Sequence, residues 1–206
     1  MGVTQEMLEL QRERDRCFDY VVNYVISLVS LTLTAELYAS GTAGRYAPRH
    51  QVSLDAKQLN KRLLLYPHVA LDDIFQLRWP SVLAFDEEPI EIPPSAILEL
   101  GALERPLLAL EQAMIVNYFE RGRVAIEQRH GNDPKDWPSV WNFARVVRNS
   151  VAHRNEVSFR NARSQGVSWR GLEYSPEENG RRVLNGDLWA ADLIYLMLDL
   201  DEAVPS

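Results

Sequence analysis

The sequence predicts an all-α fold, a bundle of four to five main helices with a short β-hairpin before the last. Three observations point there. Apolar residues recur at spacings of three and four over most of the chain outside residues 41–94. Turn residues separate the periodic stretches. Only one short stretch, Val167–Tyr174, shows even partial alternation of the kind a strand needs.

The elements follow in order. A first helix is expected from Thr4, a capping residue, to Tyr38, where Gly41 to Gly44 stop it. Residues 41–94 read as an irregular, insertion-like region with two short helices, Leu54–Leu65 and Val69–Leu77. Pro48, Pro67, Pro80, Pro89, Pro93 and Pro94 punctuate it. Asp86, Glu87, Glu88 and Glu91 read as an acidic, solvated loop. A long helix follows from Ser95 to Arg129, carrying Ile97, Leu100, Leu103, Leu107, Leu110, Met114 and Tyr118 at helical spacing, with a kink expected at Pro106. After a turn at His130–Pro134 the next helix runs from Pro138 to Val157. Val140, Ala144, Val147 and Val151 mark one of its faces; Arg145, Asn149 and His153 mark another. The hairpin lies within a loop over 161–187, and a last helix, Asp187 to Glu202, closes a single helical domain over 1–206.

Composition narrows the class. The 206 residues are 46% hydrophobic and 25% charged, which excludes wholesale disorder. One cysteine, Cys17, excludes an internal disulfide framework and a multi-cysteine zinc site, and fits a cytoplasmic chain. Tyr20–Ala35 is uncharged, but its 16 residues include Asn23, Ser27, Ser30, Thr32 and Thr34. A membrane span needs about 20 apolar residues, so a buried helix is expected there and no membrane partner. The formal charge of −7 argues against coating nucleic acid by bulk charge.

Phosphate-cradling loops, dinucleotide fingerprints, zinc-protease helices and nucleophile elbows are absent, and four His with one Cys make no metal spacing. No cofactor is expected. What remains is an Arg-x4-His pattern, Arg148 to His153. Chance alone supplies about one Arg-x4–6-His match in such a chain. Arg45–His50, Arg62–His68 and Arg123–His130 also fit. Context separates them: only Arg148–His153 lies within one uninterrupted helix with an apolar stripe behind it, and only it has the form Arg-Asn-x-x-Ala-His, through Asn149 and Ala152.

That form resembles the signature of the HEPN superfamily, helical domains named for higher eukaryotes and prokaryotes nucleotide-binding. The Gly-x-x-Trp-x-Gly-x-x-Tyr stretch and the Asp-Leu-Ile-Tyr-Leu-Met helix downstream are similar to a bacterial HEPN subgroup. Together these cover residues 138–202. The resemblance implies a metal-independent endoribonuclease with RNA as its partner. It also implies a homodimer in which two motifs line one cleft, and a role as a toxin or anti-phage effector with a neutralising antitoxin protein. His153 would be general base or acid, Arg148 the phosphate and transition-state cation, Asn149 the orienting residue, and Arg145 and Arg154 RNA contacts. The residue types suit the chemistry. Histidine carries protons near neutrality, and arginine presents a charged fork to phosphate oxygens. Residues five apart on a helix point about 140° apart, so Arg148 and His153 do not share one narrow face.

Local charge favours a phosphate site. Ser139–Leu172 holds six Arg (Arg145, Arg148, Arg154, Arg160, Arg163, Arg170) against Glu156 alone, a net +5 that leaves −12 for the remainder. Other readings stand beside this one. The outer arginines can pair with acids such as the 86–91 loop, His153 with Glu156, and Trp141 can be core instead of a base-stacking ring. The alternative to an enzyme is a non-catalytic nucleotide- or protein-binding module.

Overall fold

In the computed structural model of the chain, the described residues are 30, 34, 37, 40, 41, 51–65, 76 and 84–203. The chain divides into two compact units, Met1–Arg45 and Tyr46–Ser206. In the first, Ser30, Thr34 and Leu37 are helical and the Thr34 hydroxyl donates to the Ser30 carbonyl at 2.8 Å. The rest of the expected Thr4–Tyr38 helix lies outside the described residues, as does the Val69–Leu77 helix apart from Gln76, which is in a turn.

The second unit corrects the expected all-α bundle. Its described residues form three α-helices and five strands in two antiparallel sheets, a mixed α and β fold. Strands β1 (Val52–Ala56), β2 (Lys61–Leu65) and β3 (Phe85–Pro89) make a sheet in that order. Helix α1 (Glu104–His130) and helix α2 (Ser139–His153) follow, then hairpin β4 (Val167–Trp169) and β5 (Leu172–Tyr174), then α3 (Ala190–Glu202).

The segment Leu54–Leu65, expected as a helix, is instead the β1–β2 hairpin. Asn60 takes a left-handed φ of 51° in the turn, which breaks a helix. Across the strands Asp55 faces Arg62 in register, and the Arg62 guanidinium grips its carboxylate at 2.6 and 2.9 Å. Tertiary bonds complete the turn. The buried Asp192 carboxylate of α3 accepts the Lys57 and Gln58 backbone N–H groups at 2.8 and 3.1 Å, and that of Trp189 at 2.9 Å. The Lys57 ammonium reaches the Ala96 and Gly186 carbonyls, both at 2.7 Å. The 41–94 region is thus not wholly irregular: Ala56 and Leu63 share a core with Ala191 of α3. The expected acidic loop is largely strand β3, with Glu87 paired to Lys61 at 2.5 Å.

Helix α1 begins at Glu104, not Ser95, and Pro106 sits in its first turn. The missing amide there has no intrahelical acceptor to lose, so no kink is required. Helix α2 ends at His153, not Val157, and α3 starts at Ala190, not Asp187. The hairpin expected over Val167–Tyr174 is present, its two-residue turn built on Arg170 (φ 47°) and Gly171 (φ 87°).

The main core is aromatic. Phe143 stacks on Tyr174 with ring centroids 5.4 Å apart, and on Trp169 at 5.8 Å. Trp141, fully buried, packs against Phe119 and donates its indole N–H to the Leu200 carbonyl. It is core, and not a ring available to a base. Arg170 pairs with Asp199 of α3, which also accepts from the Trp169 indole, so this arginine clamps the hairpin to α3.

At Gly122 helix α1 lies against Trp141 of α2, for an added Cβ would stand 2.4 Å from Cη2 of Trp141. Helix propensity favours alanine by about 1 kcal/mol, while overpacking costs about 1–3 kcal/mol. Trp141 is held at its indole, so the clash decides the sign. Gly122→Ala lowers stability by up to about 2 kcal/mol in urea unfolding; a gain would show that the indole yields.

Two carboxyls make stability fall as pH rises. Burial pushes Asp192 up to about 6, against the pull of its three backbone donors. Burial alone pushes Glu111 up to about 7, with one of its oxygens unpartnered. Both bind a proton more tightly folded than unfolded. That stability is full below the unfolded pKa of about 4 and is lost as pH rises through about 6 and about 7. Glu111→Gln should raise the thermal midpoint above about pH 7 and flatten its decline. Thermal scans across pH that superimpose for wild type and variant would refute the Glu111 assignment.

Candidate functional site

Helix α2 is strongly two-sided. Trp141, Phe143, Ala144, Val146, Val147 and Val151 are buried. That leaves Arg145, Arg148, Asn149 and His153 on the side that lines a groove of about 1390 Å³. Arg154, the residue after the helix, lines it too. The structure therefore brings all five sequence-predicted site residues to one concave surface. Lys135 and Arg160 also line the groove, and Glu156 is its single acidic side chain.

The helix stops where it does because Asn155 is left-handed, with φ 60°. The amides of Arg154 and Asn155 both close onto the Ser150 carbonyl. The Asn155 side chain then bonds both ways with Leu184, accepting its N–H at 2.7 Å and donating to its carbonyl at 3.0 Å. Val157 pairs with Arg181 and Gly180 through its backbone. Asn179 bonds the Phe159 backbone in both directions, which sets the base of the facing wall, the segment from Ser158 to Ser168. His153, as the last helical residue, is exposed at the rim.

The site residues differ in their partners. Arg148 is bonded twice: its guanidinium meets the Glu120 carboxylate of α1 at 2.5 Å and donates to the Asn149 side-chain oxygen at 3.1 Å. Asn149 is expected to hold His153 or orient the phosphate; its side-chain oxygen accepts from Arg148. The alternative reading of His153, a pair with Glu156, is not formed among the described residues. Of the 86–91 acids, Glu87 pairs with Lys61. Arg145 is half-buried, its Nε has no acceptor, and no described residue bonds or pairs with it. Burial pulls its pKa below the ordinary arginine value.

A smaller cavity of about 300 Å³ adjoins the groove, lined by Glu120, Arg123, Glu127, Arg145, Arg148 and Asn149 among others. Arg145, Arg148 and Asn149 belong to both spaces. Glu120 escaped the sequence reading. It lies 28 positions before Arg148 on another helix, and no spacing rule links the two. Lys135 was missed for a similar reason: a turn places it. There the Trp137 indole donates to Gly131 at 2.9 Å, and the Asn142 amide donates to the Pro134 carbonyl.

Chemically the groove offers cations, side-chain amides and hydroxyls around one exposed imidazole, a lining suited to a polyanion with hydrogen-bonding edges. No group of three or more His, Cys, Asp and Glu among the described residues is placed to hold a metal ion. No helix among them is long and apolar enough to cross a membrane. Comparison of the chain with protein-family models, curated proteins and solved structures returns no match.

Asn155 controls this end of α2, and two substitutions separate its roles. Asn155→Gly removes the bonds to Leu184 but accepts the left-handed backbone, and loses about 1–2 kcal/mol. Asn155→Ala loses the bonds and meets the steric penalty as well, a further 1 kcal/mol or about that. Denaturant unfolding gives the order; equal losses would remove the backbone argument.

Proposed function

We propose that this chain is a metal-independent endoribonuclease of the HEPN type, acting in the cytoplasm at a site completed by a second copy of itself. The observation that carries the reading is the convergence of Arg145, Arg148, Asn149, His153 and Arg154 on one groove with five cationic side chains and a single acid.

The chemistry follows from the groups. A ribose 2′-oxygen attacks the adjacent phosphorus, and the bond from phosphorus to the 5′-oxygen breaks. The 2′-hydroxyl proton leaves to a base, and the departing 5′-oxygen takes a proton from an acid. The products are a 2′,3′-cyclic phosphate and a 5′-hydroxyl. Neutral imidazole serves the first transfer and imidazolium the second. One imidazole does not stand on both sides of the phosphorus, which is why the proposal includes a homodimer contributing two His153 side chains. His153 is exposed at the rim, where a partner's groove can meet it. The arginines stabilise the negative charge that grows on the phosphoryl oxygens. A chain of this activity harms its own host unless restrained, so the proposal extends to a toxin or anti-phage effector with a neutralising protein partner.

Two observations favour a second reading, a nucleotide- or protein-binding module without catalysis. Arg148 already has an anion in Glu120, and Asn149 is turned toward Arg148 instead of His153.

Cleavage of total RNA and tRNA in EDTA decides between them. Wild type should yield 2′,3′-cyclic phosphate ends, and His153→Ala should cut at least about 100-fold more slowly. Equal cleavage by both would remove His153 from the chemistry. Binding without cleavage by either would establish the module.

A further inference from the structure

We propose that Arg145 is the cation that first seats a phosphate in the groove, and that the Glu120 carboxylate occupies the place of a second phosphate on Arg148, to be displaced when the ligand binds. The inference deepens the RNA reading of the groove and rests on it for the identity of the anion, a phosphodiester.

The two arginines stand one helical turn apart on α2 and line the same two cavities. Both have a buried Nε without an acceptor, and they differ at their terminal nitrogens. Arg148 has both terminal nitrogens engaged, one by Glu120 at 2.5 Å and one by Asn149 at 3.1 Å. Arg145 is held half-buried without an acid or an acceptor among the described residues, and its Nε is sealed from water. A desolvated guanidinium without a counter-ion is unfavourable, and an anion entering the groove relieves that penalty. Glu120 and Glu127 line the small cavity beside Arg145, yet both are turned to Arg123, at 3.3 Å each.

Glu120 is suited to act as a placeholder. Carboxylate and phosphate oxygens accept from the same guanidinium fork. The Glu120 carboxylate also touches Arg123 of its own helix, so it keeps a cation after leaving Arg148. Ligand binding then exchanges one anion for another on Arg148, while Arg145 gains its first. Glu120 thereby lowers affinity for any phosphodiester, and it does so through Arg148 and not through bulk charge.

The test uses a fluorescein-labelled 2′-deoxy oligonucleotide, which lacks the attacking hydroxyl, with Kd read by fluorescence anisotropy. Arg145→Met keeps the apolar stem in place and should weaken binding about tenfold. Arg148→Gln should weaken it less, since that arginine is already answered. Glu120→Gln should tighten binding about fivefold, the modest worth of a partly exposed ion pair. The deciding arm is Glu120→Gln in the Arg148→Gln background, where the tightening should vanish. Tightening that persists without Arg148 would reduce Glu120 to general repulsion and overturn the inference. So would an unchanged Kd in Glu120→Gln, or an Arg148→Gln loss equal to that of Arg145→Met. The Glu120 and Arg148 arms stand whether or not Arg145→Met folds. Because the probe is never cut, tightening in a chain that cleaves no RNA would sink only the nuclease reading. Cleavage without tightening would sink only this inference.

Discussion

The left-handed turn at Asn155 is the constraint on which the groove depends. A helix continued to Val157 would carry the chain away from α2 along its axis, with no wall opposite the arginines. Asn155 instead reverses the backbone and locks it to Leu184 through both its amide atoms. The exit from α2 thereby becomes part of a small network of extended chain, with Val157 on Arg181 and Gly180, and Val183 on Asn155. Asparagine tolerates this conformation better than most residues and satisfies two buried backbone groups at once. The same reversal leaves His153 at the helix end, exposed, with the Ser158–Ser168 segment facing it across the groove.

Behind that wall the aromatic core holds α2 against the hairpin and α3. Phe143 stacks on Tyr174, the Trp169 indole and Arg170 meet at Asp199, and Trp141 reaches the Leu200 carbonyl. These contacts bury one side of α2 completely and so commit its other side to solvent and charge. Fully buried aromatic and aliphatic side chains contribute about 1.5–3 kcal/mol each, far more than a surface ion pair. Packing therefore decides where α2 lies, and the groove's electrostatics follow from that placement. The consequence is a pair of arginines of the same helix in unlike states, one bonded to Glu120 and the other unpaired among the described residues.

The second half of the chain was legible in good part. Of the apolar stripe, Ala144, Val147 and Val151 are buried and Val140 packs partly buried against the core, while Arg145, Asn149 and His153 share the groove side. The Val167–Tyr174 hairpin was visible in its partial alternation and Gly171. Helix periodicity failed over Leu54–Leu65, where leucines at helical spacing belong to two strands. The hairpin there is stabilised by Asp192, 135 positions away from Lys57, and by a cross-strand Asp55–Arg62 pair that spacing along one helix does not reveal. Short segments are the ones most open to this reversal, because a few tertiary bonds outweigh their intrinsic preference.

The sequence by itself determined the local side of this protein: which residues α2 buries, that a hairpin precedes the last helix, and that an arginine-rich segment with one histidine is the chemically distinctive part. These are matters of period and composition, set by neighbours within a turn or two. Only the tertiary structure decided that the fold mixes sheets with helices, that Asn149 serves Arg148 and not His153, and that Glu120 stands against the motif. Each of those rests on groups brought together from distant parts of the chain. Hydrogen bonds and ion pairs act over a few ångströms, so spacing along the sequence does not foretell which partners will meet.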